Sequence, residues 1–132
     1  MADKTTQDII KQSDEVKEMG MDWKRVYAAV ATSIQNNTHR VMRSGNTLLW
    51  VKLMPQKTAQ MYVFNADTPK NFLKNMKDFA KALDKAGFET VFGETHNMQL
   101  IEMMKRLGYP VQVERVGTDN QGRTIYRGTV DV

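Results

Sequence analysis

The segment DTPKNFLKNMKDFAKALDKAG, residues 67–87, constrains the fold more than any other, because it carries the signals for both ends and both faces of a helix. Thr68 is placed to cap the first turn, Pro69 suits the first helical position, where an amide would be idle, and Gly87 supplies the stop. Between them Phe72, Leu73, Met76, Phe79, Ala80 and Leu83 form one apolar stripe. At about 100° per residue, Lys70, Lys74, Lys77, Lys81 and Lys85 gather on the opposite side. The spacing predicts a helix with one packed face and one lysine face.

Upstream, HRVMR, NTLLWVKLM and AQMYVF are short segments rich in β-branched and aromatic residues, separated by SGN and PQK. Three sequential strands joined by hairpins follow from that pattern. Before them, Asp22 caps a helix whose apolar face is Trp23, Val26, Tyr27, Val30 and Ile34. Ile9, Ile10, Val16 and Met19 form a weaker stripe that ends at Gly20, which predicts an N-terminal helix, mobile or docked, within residues 1–20. Downstream, ETVFGE reads as a strand and MQLIEMMKRLG as a helix facing inward through Leu100, Ile101, Met103, Met104 and Leu107. YPVQVERV and RTIYRGTVDV then flank the loop GTDNQG. The expectation is one domain over residues 1–132, of the α+β or mixed α/β class, with helices packed around one sheet.

Several function classes drop out on composition. The chain has no cysteine, which removes disulfides, thiolate nucleophiles and thiolate metal sites. With only His39 and His96, a histidine-based metal site would need both plus carboxylates, so no metal is expected. No G-x-S-x-G, H-E-x-x-H or Walker loop occurs. No apolar run approaches the roughly 18 residues of a membrane span, and MADKTTQDIIKQSDEVKEMG lacks the apolar core of a signal peptide, so neither a span nor export is expected. The net charge of +4 is uneven: residues 1–37 carry −1, residues 38–88 carry +6, and residues 89–132 carry −1. The basic middle favours an anionic partner. Its lysine face meets either solvent, an acidic protein surface or nucleic-acid phosphate, although no aromatic residue interleaves with it to stack on bases.

Around residue 96, Asn97 is either a helix cap or a hydrogen-bonding group for a ligand. His96 is a candidate base with Glu94 as its partner.

From Phe64 onward the layout, with the block ALDKAGFETVFGETHNMQLIEMMKRLGYPV inside it, resembles the GNAT superfamily, the Gcn5-related N-acetyltransferases. That family's helix pattern, roughly N-x-x-A-x-x-L-Y-x-K-x-G-F, falls on Asn97, Leu100, Met103, Met104, Arg106, Gly108 and Tyr109. The resemblance implies a GNAT-like fold: a mostly antiparallel central sheet, helices on both sides and an N-terminal helical extension, with the family's first strand missing. Two departures stand against activity. The pyrophosphate loop, glycine-rich in the family, reads NADTPKN here, with Asp67 adding negative charge and Pro69 removing a donor. Met104 takes the place of a tyrosine that protonates the departing thiolate.

Together these imply a non-catalytic scaffold without a cofactor, and the size and layout also resemble small GNAT-like chains of tailed bacteriophages. That likeness implies a virion or host-directed protein with a protein partner, cytoplasmic or virion-associated. In the alternative, the chain is an acetyl-CoA-dependent N-acetyltransferase with a reshaped loop. Tyr109, Glu94 and His96 would then be its catalytic residues, and Asn97, Ala66 and Thr68 would line the acyl-CoA site. A second alternative is a basic nucleic-acid-binding module.

Overall fold

The structure is a computed structural model that describes residues 4–13, 16–17 and 20–131. Its elements run α1 (Thr6–Gln12), α2 (Trp23–Gln35), β1 (His39–Ser44), β2 (Thr47–Met54), β3 (Thr58–Asn65), α3 (Pro69–Lys85), β4 (Thr90–Thr95), α4 (Met98–Arg106), β5 (Gln112–Thr118) and β6 (Thr124–Asp131). The strands form a six-stranded sheet in the order β1-β2-β3-β4-β6-β5. Every neighbouring pair is antiparallel except β3 and β4, which α3 connects as a parallel pair.

Both faces of the sheet are covered, which explains why β2 has no polar alternation over Thr47–Val51. Leu48 and Trp50 pack toward α1 and α2 with Ile9, Ile10, Val30 and Phe64. Leu49 and Val51 point the other way, onto Phe72, Met76, Phe79 and Leu83 of α3 and Met104 of α4. The β1–β2 turn closes between Ser44 and Thr47, with Gly45 at φ 55°, as a two-residue hairpin requires at its first central position.

Two helices differ from the sequence reading. α1 stops at Gln12, because Ser13 turns extended (φ −62°, ψ 130°), so the stripe from Ile9 to Val16 does not lie on one continuous helix. Met19, the last residue of that stripe, lies outside the described residues. α1 is closed at its start by a capping box between Thr5 and Asp8, and Ile9 and Ile10 are fully buried. In α2, Ile34 is 45% exposed rather than packed. Ser33 holds the inner position: its hydroxyl donates to the Val30 carbonyl at 2.7 Å and accepts from Trp50 Nε1 at 2.9 Å. The half-buried indole N–H needs an acceptor, which an isoleucine there would not supply.

α3 matches its sequence signals closely. Thr68 Oγ1 accepts from the Asn71 amide, Pro69 opens the helix, and Lys70, Lys74, Lys77, Lys81 and Lys85 are all exposed.

Candidate functional site at the β3–β4 opening

The parallel ladder between β3 and β4 is short. It pairs Thr58 with Thr90, Ala59 with Val91 and Gln60 with Phe92, and stops there. Both strands run on, β3 to Asn65 and β4 to Thr95, while β3 keeps its partners on the β2 side through Asn65. Beyond Gln60 and Phe92 the sheet therefore opens into a cleft between two diverging strands. Openings at the carboxyl ends of parallel strands are where α/β sheets receive ligands.

The two sides of this cleft differ in chemistry because successive side chains alternate faces. On the α3/α4 side, Met61, Val91, Met76, Phe79, Met104 and Tyr109 line an apolar cavity of about 30 Å³. That is room for one or two water-sized groups. Met61 reaches toward Gly93, where an added Cβ would meet the Met61 carbonyl oxygen at 3.3 Å and its Cγ at 3.4 Å.

On the α1/α2 side the cleft is polar and aromatic. Tyr62, 39% exposed, lies 5.2 Å from the Trp50 ring, which is stacked on His39 at 4.7 Å. Burial and the charge of Glu94 raise the Tyr62 phenol above its ordinary value, against a smaller opposing pull from a hydrogen bond with Gln60. Glu94 itself accepts from Arg127 Nη2 at 2.6 Å and Nε at 3.2 Å, and the guanidinium also lies 3.7 Å from Glu114 and over the Phe92 ring. The bond to Glu94 raises the Arg127 pKa, so this cation stays charged.

The loop that leads from β3 into α3 is committed to internal bonds. The Ala66 amide donates to the Asn46 carbonyl and the Ala66 carbonyl accepts from Lys4 Nζ, the Asp67 amide donates to Asn65 Oδ1, and the Asn71 amide goes to Thr68. Asp67 Oδ2 accepts from the Asn46 amide and from Asn75 Nδ2, each at 2.8 Å. Burial pushes the Asp67 carboxyl upward, but hydrogen bonds from Asn46, Asn75 and Asn71 outweigh it, and the net pKa lies below the usual 3.8. The loop has no glycine, its Ala66, Asp67 and Asn71 amides are used internally, and Asp67 adds an anion, all of which disfavour a diphosphate there.

The low Asp67 pKa has a consequence for acid stability. A carboxyl whose folded pKa is depressed stabilises the fold fully above its unfolded value and loses that contribution as pH falls through the folded one. The stability gap between the wild type and Asp67→Asn is therefore expected to be full near about pH 6 and to shrink below 3.8, as read by urea titration at each pH.

The structure separates most residues that the sequence singles out. Asn97 caps α4, its Oδ1 accepting from the Gln99 amide at 3.0 Å, and Thr68 caps α3. Glu94 faces Arg127 instead of His96, whose Nε2 lies 3.2 Å from Arg123 Nη1. Arginine offers no acceptor, so that nitrogen carries a lone pair toward the guanidinium. Tyr109 follows α4 and lines the apolar cavity beside Met104. Glu94 and Tyr109 thus border the cleft from its two faces. Sequence reasoning missed the bond network around Asn75, only 4% exposed, which joins Ser44, Thr47 and Asp67. Its signal was a polar residue at the border of an apolar helical stripe, one turn before Phe79.

No protein-family model matches this chain, and no curated protein matches it in sequence. In structure it is similar to the ribosomal-protein-S18-alanine N-acetyltransferase from Escherichia coli, with a TM-score of 0.63 and 14% identity, covering 99% of this chain and 92% of that one. An acetyltransferase from Bacillus subtilis in complex with CoA gives a TM-score of 0.61 at 13% identity, over 99% of this chain and 95% of its own. The IAA acetyltransferase from Bacillus cereus also gives 0.61, at 11% identity, over 97% and 93%. These likenesses overturn the reading of the chain as a non-catalytic phage structural or interaction protein, because these three proteins, which share its layout over 97–99% of its length, are acetyltransferases. The expectation of no cofactor rested on that reading and lapses with it. The chain has the GNAT fold, a mixed α/β layout around a mostly antiparallel six-stranded sheet.

Proposed function

We propose that this chain is an acetyl-CoA-dependent N-acetyltransferase that receives its donor between β3 and β4 with a reshaped β3–α3 loop. One observation carries the reading: the parallel ladder ends at Gln60 and Phe92 while both strands continue, leaving an apolar cavity on one face and Tyr62 with Glu94 on the other. Acetyl-CoA is consumed as a co-substrate and supplies an activated acyl carbonyl. The residues here suit its thioester half. Met61, Met104 and Tyr109 enclose a space that takes an acetyl methyl and little more, and β3 beyond Gln60 has an edge that faces the cleft.

Glu94 and Arg127 act on the acceptor side. An amine acceptor arrives at neutral pH as an ammonium ion. Glu94 and Glu114 share the single Arg127 guanidinium, so one carboxylate charge is left over to hold that ammonium at the cleft while it sheds a proton to water. The diphosphate half of the donor finds no glycine cradle in residues 65–71, where the Ala66, Asp67 and Asn71 amides are used internally and Asp67 is anionic.

Intact-mass and peptide mass spectrometry of a panel of primary amines, incubated with the chain and acetyl-CoA, tests the reading. The expected result is acetylation that requires both chain and donor; no transfer to any amine contradicts it. A shortened donor probes the loop separately. Acetyl-pantetheine is expected to support kcat/KM within about tenfold of acetyl-CoA, because the missing part includes the diphosphate that the loop does not hold. A loss of about a thousandfold or more would show that the diphosphate is bound after all.

A further inference from the structure

We propose that Tyr62 is the proton donor of the transfer, an inference that rests on the N-acetyltransferase reading. Gln60 and Phe92 are the last partners in the parallel ladder. Tyr62 and Glu94 are the next residues on that same face of their strands, so they stand at matching positions on the two lips of the cleft. The influence of the Glu94 charge on the Tyr62 phenol reflects that closeness.

The ring is held from behind. Trp50 lies 5.2 Å from it, and Trp50 is itself fixed by Ser33 and by the stacked His39. Tyr62 is nevertheless 39% exposed, which leaves solvent able to return a proton to it. Its phenol remains protonated through the neutral range because burial and Glu94 disfavour the phenolate. Other groups are worse placed. Met104 has no proton to give and is buried in the core, while Tyr109, which borders the acetyl-methyl cavity, is packed against the core and less open than Tyr62 to the solvent that returns a proton.

The step balances. A neutral acceptor amine attacks the thioester carbonyl and the C–N bond forms. As the C–S bond breaks, its electron pair passes to sulfur and the Tyr62 phenol proton follows, which releases a free thiol. The proton shed by the acceptor nitrogen returns to the Tyr62 phenolate through water, so the side chain is unchanged after each turnover.

Tyr62→Phe tests this while keeping the ring contact with Trp50. The expected result is a kcat about 100-fold below wild type and loss of the alkaline limb of the pH–rate profile. The acetyl-CoA dissociation constant, from calorimetry, and the melting temperature stay near wild type, and Tyr27→Phe retains the wild-type rate. A readout without donor accompanies it. The Tyr62 ring carbon, assigned by its loss in Tyr62→Phe, titrates by carbon-13 NMR above 10, and Glu94→Gln lowers that midpoint. A Tyr62→Phe rate within about twofold of wild type, the loss appearing in Tyr109→Phe instead, or a Tyr62 midpoint at or below 10 overturns the inference and leaves the N-acetyltransferase reading standing. If the wild type transfers no acetyl group to any amine, that reading fails first and the inference falls with it.

Discussion

Asn75→Ala is expected to destabilise the fold by about 3 kcal/mol, measured as a shift in the urea midpoint at unchanged slope. Asn75 Nδ2 donates to Thr47 Oγ1 at 2.9 Å and to Asp67 Oδ2 at 2.8 Å, and its Oδ1 accepts from Ser44 Oγ at 3.2 Å. Truncation leaves Thr47, which is fully buried, and the half-buried Asp67 carboxylate each short of a partner. Thr47 retains one bond, to Asn65 Oδ1, and Asp67 retains the Asn46 amide, which keeps the cost below that of an unpaired buried charge. Gly45→Ala attacks the same network from the hairpin. Its φ of +55° disfavours a side chain, and a Cβ there would sit 2.7 Å from Asp67 Oδ2 and 3.0 Å from Asn75 Nδ2, both held by hydrogen bonds. A comparable loss in both variants, with no further loss when they are combined, would show that they act through one network.

The second large effect belongs to Gly93, where the strands begin to part. Gly93→Val is expected to lower kcat/KM for acetyl-CoA by about 100-fold while costing the fold only about 1–2 kcal/mol. An added Cβ would already press on the Met61 carbonyl at 3.3 Å, and the further methyls of valine would enter the throat between β3 and β4. The backbone at Gly93 is not left-handed, so a β-branched residue brings crowding of the throat without dihedral strain. Unchanged transfer in Gly93→Val would place the donor elsewhere.

Much of the architecture was legible because its signals are local. The cap at Thr68, the proline after it and Gly87 bound α3 closely, and the turn residues in SGN and PQK separate β1, β2 and β3 where the structure does. The GNAT-like layout was also legible, from the spacing of Asn97, Gly108 and Tyr109 on either side of α4. Ile34 was misread because helical spacing ranks residues by hydrophobicity, and Ser33 won the inner position through a partner on β2, a residue distant in sequence.

The cleft was not legible at all. Strand patterns give faces and lengths, whereas the end of the β3–β4 ladder depends on how two strands linked by a whole helix diverge. Function was misjudged for a related reason. NADTPKN and Met104 are real departures from the family pattern, but each describes one device, and their loss says nothing of what else borders the cleft. Tyr62 could gain its place beside Glu94 only once β3 and β4 were set in register.

Backbone amide exchange, followed with and without saturating acetyl-CoA, tests the central claim most directly. Donor seated in the cleft is expected to slow exchange in Met61–Asn65 of β3 and Gly93–Thr95 of β4, which lie beyond the last ladder pair, and to leave the β1–β2 ladder unchanged. Protection confined to other elements, or no protection at any donor concentration, would contradict the placement of acetyl transfer between these strands.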